Sequence, residues 1–140
     1  MPLSYLHSLY NAEYIFYIEL KLEDTEMIEE YSLEGVRTYQ INILPDERGF
    51  FSEVLRQDWT GFINETIVQA NLSYSYPGVV RAWHRHIRGQ IDHFLVLKGA
   101  LKICAFEEET KRFVEIIANE AKSMLVRIPR SLLPRDQNSK

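Results

Sequence analysis

The chain has 140 residues, 46% of them hydrophobic and 12% aromatic, which is enough for one domain with a real core and too little for two. Its formal net charge of −4, with basic residues scattered along the chain, argues against a nucleic-acid partner. No apolar run approaches the roughly 18 residues that cross a bilayer, and no signal peptide is evident, so we expect no membrane partner and a cytoplasmic location. The single cysteine, Cys104, suits a reducing compartment.

Alternation of apolar and polar residues, the pattern of a half-buried β-strand, dominates the chain. Residues 1–32 are predicted to be an amino-terminal extension with one strand near 14–22, and the acidic stretch 23–31 would be a surface helix at most. Residues 131–140 are predicted to be a polar tail. Between these segments, the alternation predicts short strands near 36–44, 50–55, 66–74, 79–85, 92–97, 100–106, 112–117 and 124–128. Many short strands favour a sandwich or a barrel.

Three of the four histidines lie close together in this pattern. Imidazoles at i and i+2 of a strand point to the same face, so His84 and His86 could address one metal ion or one substrate. Gln90 and Asp92 also share a face, and they could supply a weak metal ligand, orient a histidine, or form a solvated strand edge. His93 alternates to the opposite face from Asp92 and is predicted to be structural.

The spacing of Gly78, His84 and His86 is that of the first half of the cupin signature, G(X)5HXH(X)3–4E(X)6G. The glutamate position holds Gln90 or Asp92, depending on the gap. Within cupins, the chain resembles the dTDP-4-dehydrorhamnose 3,5-epimerase family, and the resemblance covers roughly residues 33–130. The pieces that carry it occur in the family's order: DERGFFSE at 46–53, QANLS at 69–73, GVVRAWH at 78–84, and 90–99.

The resemblance implies an all-β cupin-type double-stranded β-helix, or jelly roll, at residues 33–130. It also implies an isomerase of rhamnose biosynthesis that acts on a nucleotide sugar of the dTDP-4-keto-6-deoxyhexose class and uses no cofactor. His84 would be the catalytic base that removes a proton alpha to the ketone. The substrate-binding residues implied in the same way are Arg48, Phe51, Glu53, Gln69, Asn71 and Arg81.

The chain departs from the family pattern at several positions. Asp92 stands where the family has a lysine that stabilises the enolate, and His86 stands where the family has a glutamine. The second cupin histidine and the downstream tyrosine and carboxylate are absent from the sequence, which resembles a family member truncated near residue 130. Two alternatives therefore stay open: a metal-binding cupin with His84, His86 and Asp92 as ligands of a divalent metal, or a non-catalytic nucleotide-sugar binder.

A barrel without its last strands would leave a strand edge exposed, and we therefore expect a homodimer that covers it. Trp83, between the matched arginine and histidine, is expected to face away from His84 and to pack in the core.

Overall fold

A computed structural model of the chain describes residues 27–86 and 89–130. These residues form strands, turns and extended segments with no α-helix among them, so the prediction of an all-β protein is confirmed. The same residues accordingly contain no helix that is long and apolar enough to span a membrane. The predicted strand at 14–22 and the polar tail at 131–140 lie outside the described residues. The closed jelly roll and the domain boundaries stay predictions.

The described part of the chain contains one larger sheet and two hairpins. The sheet has four antiparallel strands in the order β1-β2-β8-β5. One hairpin is β3-β4 and the other is β6-β7. The strands are β1 (Ile28–Glu30), β2 (Arg37–Gln40), β3 (Leu44–Asp46), β4 (Gly49–Phe51), β5 (Asp92–Leu95), β6 (Ala100–Glu107), β7 (Arg112–Asn119) and β8 (Met124–Ile128).

The β8 strand lies at the centre of the sheet, and its side chains alternate between two cores. Val126 packs in a cluster between the sheet and the β6-β7 hairpin, together with buried residues such as Ile103 and Ile116. Leu125 points to the other face, where it packs with Tyr39 and Phe62. A strand buried on both faces is apolar at most positions, which fits the sequence MLVRI of β8. The sheet is therefore covered by the β6-β7 hairpin on one face and by the loop that contains Phe62 on the other.

Two of the predicted strands are absent from the described structure. Residues 66–74 and 79–85 have the alternating pattern of strands, but they make no ladder with a described strand, and every residue from 68 to 85 is exposed. The prediction was wrong because apolar alternation says nothing about which neighbour takes the backbone hydrogen bonds, and a strand needs that neighbour.

Two smaller predictions are also corrected. Residues 28–30 of the acidic stretch form strand β1 and pair with β2, so this part is not a surface helix. Trp83 is 66% exposed and does not lie in the core. Its ring nevertheless contacts Phe106 and Phe113, at centroid distances of 6.3 and 6.5 Å. Trp83 therefore packs in part against the outer face of the β6-β7 hairpin.

Candidate functional site

The candidate residues lie on three pieces of chain: the β3-β4 hairpin, the exposed extended segment 68–86, and the beginning of β5. No hydrogen bond or ion pair joins the hairpin candidates to those of the other two pieces within the described residues. The contacts that do form are local, and one of them joins the end of the extended segment to β5.

That contact pairs His86 with Asp92. The Nε2 atom of His86 lies 2.8 Å from Oδ2 of Asp92, with 36% and 24% of the two side chains exposed. Gln90 donates from Nε2 to Oδ1 of the same carboxylate at 2.5 Å. The prediction that Gln90 and Asp92 share a face agrees with this contact, and Asp92 is placed to orient a histidine.

Arg81 is held against the turn that precedes it. Its Nε atom donates to the Ser75 hydroxyl at 2.8 Å, and one terminal nitrogen donates to the carbonyl oxygen of Tyr74 at 3.1 Å. Gly78, inside this turn, has a φ of +79°, a conformation that favours glycine. No carboxylate pairs with Arg81 among the described residues, so its guanidinium charge is not neutralised there.

The remaining binding candidates also make local contacts. Gln69 donates from Nε2 to Oδ1 of Asn71 at 2.9 Å, which places both amides side by side on the exposed segment. Arg48 forms an exposed ion pair with Asp46 at 2.6 Å. The hydrogen bonds from the side chain and then the backbone of Arg48 hold the pKa of Asp46 below its usual value. Glu53 pairs with Arg56 at 2.8 Å.

His84 and Phe51 are accessible. His84 is exposed and makes no ion pair or hydrogen bond within the described residues, and Phe51 is 62% exposed on β4. The metal alternative needs His84, His86 and Asp92 around one point. Within 27–86 and 89–130, no group of three or more histidine, cysteine, aspartate or glutamate side chains is arranged to hold a metal ion.

Sequence reasoning missed a second cluster of charges, which lies on the face of the sheet that is covered by the loop containing Phe62. Glu65 receives two hydrogen bonds from the guanidinium of Arg127, at 2.9 and 3.2 Å. The Nε2 atom of His93 lies 3.0 Å from the same carboxylate but makes no hydrogen bond of acceptable geometry with it. His93 is 7% exposed at the side chain, in agreement with the prediction that it is structural. We call Glu65, Arg127 and His93 the buried charge cluster.

Burial and charge act in opposite directions in the buried charge cluster. Burial lowers the pKa of His93, and the nearby carboxylate of Glu65 offsets this only in part. Burial alone would raise the pKa of Glu65, but the hydrogen bonds and charge of Arg127 outweigh it, so this pKa lies below its usual value. Glu65 is therefore ionised and paired with Arg127. Because Glu65 lies three residues before the exposed segment 68–86, the cluster ties the chain near the start of that segment to β8.

Comparison with known proteins supplies an independent observation. The family described as dTDP-4-dehydrorhamnose 3,5-epimerase matches residues 30–122. This range contains every catalytic, substrate-binding and metal candidate named from the sequence.

Two curated relatives are similar to the chain over most of its length. A probable low-salt glycan biosynthesis epimerase from Haloferax volcanii is 37% identical over 102 residues, which cover 67% of this chain and 62% of that protein. A spore coat polysaccharide biosynthesis protein from Bacillus subtilis, SpsL, is 30% identical over 105 residues, which cover 71% of this chain and 68% of that protein. The chain thus spans less than two thirds of the Haloferax relative.

Proposed function

Because the chain belongs to the dTDP-4-dehydrorhamnose 3,5-epimerase family, we propose that it isomerises a nucleotide sugar of the dTDP-4-keto-6-deoxyhexose class, with His84 as the base. The observation that carries the proposal is the family match over residues 30–122, which includes the arginine and histidine expected at the reactive centre. One relative is named an epimerase of glycan biosynthesis, and this supports the reaction type.

The proposed reaction is proton transfer at a carbon next to a ketone. His84 removes the proton, the C–H bonding pair becomes the C=C bond of an enolate, and the carbonyl π pair moves to oxygen. Return of a proton to the carbon restores the ketone, with inversion when the proton arrives on the other face. The exposed imidazole of His84 supports this role, because no described residue competes for it. The proposed reaction needs no cofactor.

Arginine side chains would bind the diphosphate of the substrate. A guanidinium binds phosphate oxygens through two parallel hydrogen bonds. Arg81 has only neutral partners among the described residues, so its charge is available to an anion. Arg48 is paired with Asp46, but both side chains are exposed, at 74% and 42%, and such pairs are weak enough for a diphosphate to compete. Glu53, Phe51, Gln69 and Asn71 are proposed to complete substrate binding.

A second copy of the chain is the proposed partner. The extended segment carries several apolar side chains that are largely exposed, and so does the β3-β4 hairpin. The backbone of this segment pairs with no described strand, so we propose that it also adds to a strand of the second copy. The side chains concerned, with their exposed fractions, are Leu44 (58%), Phe50 (70%), Phe51 (62%), Val68 (89%), Leu72 (85%) and Val80 (84%).

Substitution of Leu72 tests the dimer. Light scattering after size exclusion should give a dimer for the wild-type chain and a monomer for Leu72→Glu. Leu97, which is 65% exposed between β5 and β6, is the matched control, and Leu97→Glu should stay dimeric. A monomeric wild-type chain would contradict the proposal.

Deuterium exchange tests the reaction. The purified chain is incubated with dTDP-4-keto-6-deoxyglucose in deuterated water, and the sugar protons next to the ketone are followed by NMR. We expect exchange with the wild-type chain and a loss of about 100-fold or more with His84→Gln. Arg85→Gln, a change at an exposed neighbour whose ion pair with Glu108 is 3.6 Å long, is the control and should exchange normally. Binding of the nucleotide sugar without exchange would favour the non-catalytic binder.

A further inference from the structure

His86 has a fixed partner, which His84 lacks among the described residues. Its Nε2 atom lies 2.8 Å from Oδ2 of Asp92, and Gln90 donates to Oδ1 of the same carboxylate at 2.5 Å. These three side chains form one connected group, which we call the His86 cluster. It lies where the exposed segment meets the beginning of β5.

The position of Asp92 decides which ring nitrogen of His86 carries a hydrogen. A bare Nε2 would set its lone pair against those of the carboxylate at 2.8 Å, so this contact favours the hydrogen on Nε2. Nδ1 is then the ring atom that can exchange a proton with a ligand. Because the Gln90 amide holds Oδ1, Oδ2 stays turned toward the ring.

The His86 cluster is also accessible. The side chains of His86 and Asp92 are 36% and 24% exposed, so both are partly accessible to a ligand. The neighbouring Arg85 pairs with Glu108 at 3.6 Å instead. Asp92 is therefore the charged group in contact with the His86 ring among the described residues.

We propose that His86 is a second acid–base residue of the isomerase reaction, and this inference rests on the proposed function. As His84 takes the proton from carbon, doubly protonated His86 gives its Nδ1 proton to the ketone oxygen. The C–H pair becomes the C=C bond of an enol, the carbonyl π pair bonds the new hydrogen, and His86 becomes neutral. Its Nε2 hydrogen still faces Asp92. Return of a proton to carbon, with the enol proton taken back by Nδ1, restores the ketone.

Asp92 and Gln90 touch no substrate in this scheme and are positioning residues. Asp92 balances the positive charge of His86 in the donating state and holds the ring with Nδ1 outward. Removal of Asp92 should therefore lower kcat and leave KM nearly unchanged. The same removal should have no further effect once His86 is gone, since Asp92 acts through that ring.

The test is the deuterium exchange rate of dTDP-4-keto-6-deoxyglucose with four proteins: wild type, His86→Ala, Asp92→Leu, and the double variant. Leucine has the same branching and number of side-chain heavy atoms as aspartate and has no polar side-chain atom. We expect His86→Ala to lose about 100-fold or more and to recover in part when free imidazole is added. Asp92→Leu should lower the rate in the wild-type background, and the double variant should exchange at the rate of His86→Ala alone. Circular dichroism identifies any variant that fails to fold. If His86→Ala does not fold, His86→Gln takes its place in both the single and the double variant.

The outcomes separate the two proposals. A wild-type chain that catalyses no exchange overturns the proposed function, and the inference about His86 with it. An active wild type with a near-normal His86→Ala overturns the inference alone. Equal losses for Asp92→Leu in both backgrounds, or a loss in His86→Ala that imidazole does not relieve, would make the His86 cluster structural and would also overturn it.

Discussion

The described part of the chain contains two histidine–carboxylate contacts of almost the same length in very different surroundings. In the buried charge cluster, His93 lies 3.0 Å from Glu65, and their side chains are 7% and 18% exposed. At the surface, His86 lies 2.8 Å from Asp92, with exposures of 36% and 24%. The separation of the two atoms therefore does not distinguish structural from functional contacts here.

The third group in each contact makes the difference. The carboxylate of Glu65 is shared with the guanidinium of Arg127, which donates hydrogen bonds to both of its oxygens. The carboxylate of Asp92 is shared with the neutral amide of Gln90, so its charge remains for the histidine. We therefore propose that the accessible contact, whose carboxylate has no cationic partner other than the ring among the described residues, is the functional one.

The largest effect on the free energy of unfolding is expected from breaking the buried ion pair between Glu65 and Arg127. Glu65→Gln leaves the guanidinium of Arg127 buried without its anion, and we expect the free energy of unfolding to fall by about 3–5 kcal/mol. Urea denaturation at neutral pH measures this. Glu115→Gln, which breaks the exposed ion pair with Lys102, is the control and should change unfolding far less. Similar effects of the two substitutions would contradict the structural role of Glu65.

An intermediate effect on the free energy of unfolding is expected from a change of pH. Burial lowers the pKa of His93 below its ordinary value of 6.5, so the folded protein binds this proton more weakly than the unfolded chain does. The resulting stability is complete above about pH 6.5 and is lost as the pH falls through that value toward the folded pKa. The contribution of Glu65, whose pKa is lowered from 4.5, is lost only at still lower pH.

We therefore expect the free energy of unfolding of the wild-type chain to fall between about pH 7 and pH 5. In His93→Gln, the fall over this range should be smaller, because the buried group no longer titrates. Urea denaturation at several pH values compares the two slopes. Equal slopes would show that His93 titrates alike in the folded and unfolded chains.

The smallest effect on stability is expected at the surface. Asp92→Leu removes a partly exposed ion pair, and such pairs contribute about 0–1 kcal/mol, so the free energy of unfolding should change by less than about 1 kcal/mol. Its effect on the exchange reaction should be much larger than its effect on folding. A loss of stability as large as that of Glu65→Gln would place Asp92 among the structural residues.

Local patterns in the sequence predicted the regular part of the fold well. The runs 100–106, 112–117 and 124–128 became β6, β7 and β8, because alternating side chains there face a core on one or both sides. The runs 66–74 and 79–85 have the same pattern and no strand partner among the described residues. Alternation in the sequence shows that side chains point to two faces in turn. Whether a strand forms also depends on a neighbouring strand that can accept and donate its backbone hydrogen bonds.

In the candidate site and the buried charge cluster, the sequence predicted only a local contact. Gln90 and Asp92, two residues apart, were expected to share a face and do contact each other. Arg127 and Glu65 are 62 positions apart in sequence, and no spacing rule indicates their contact. It arises because β8 lies inside the sheet and the loop that contains Phe62 and Glu65 covers the face to which Arg127 points.

The most direct test of this account compares His86→Gln with His93→Gln in the deuterium exchange assay, with rates expressed per folded protein. The account predicts that His86→Gln loses about 100-fold or more and that His93→Gln exchanges at nearly the wild-type rate. The reverse result, with exchange lost in folded His93→Gln and retained in His86→Gln, would contradict the assignment of function to the exposed contact and structure to the buried one.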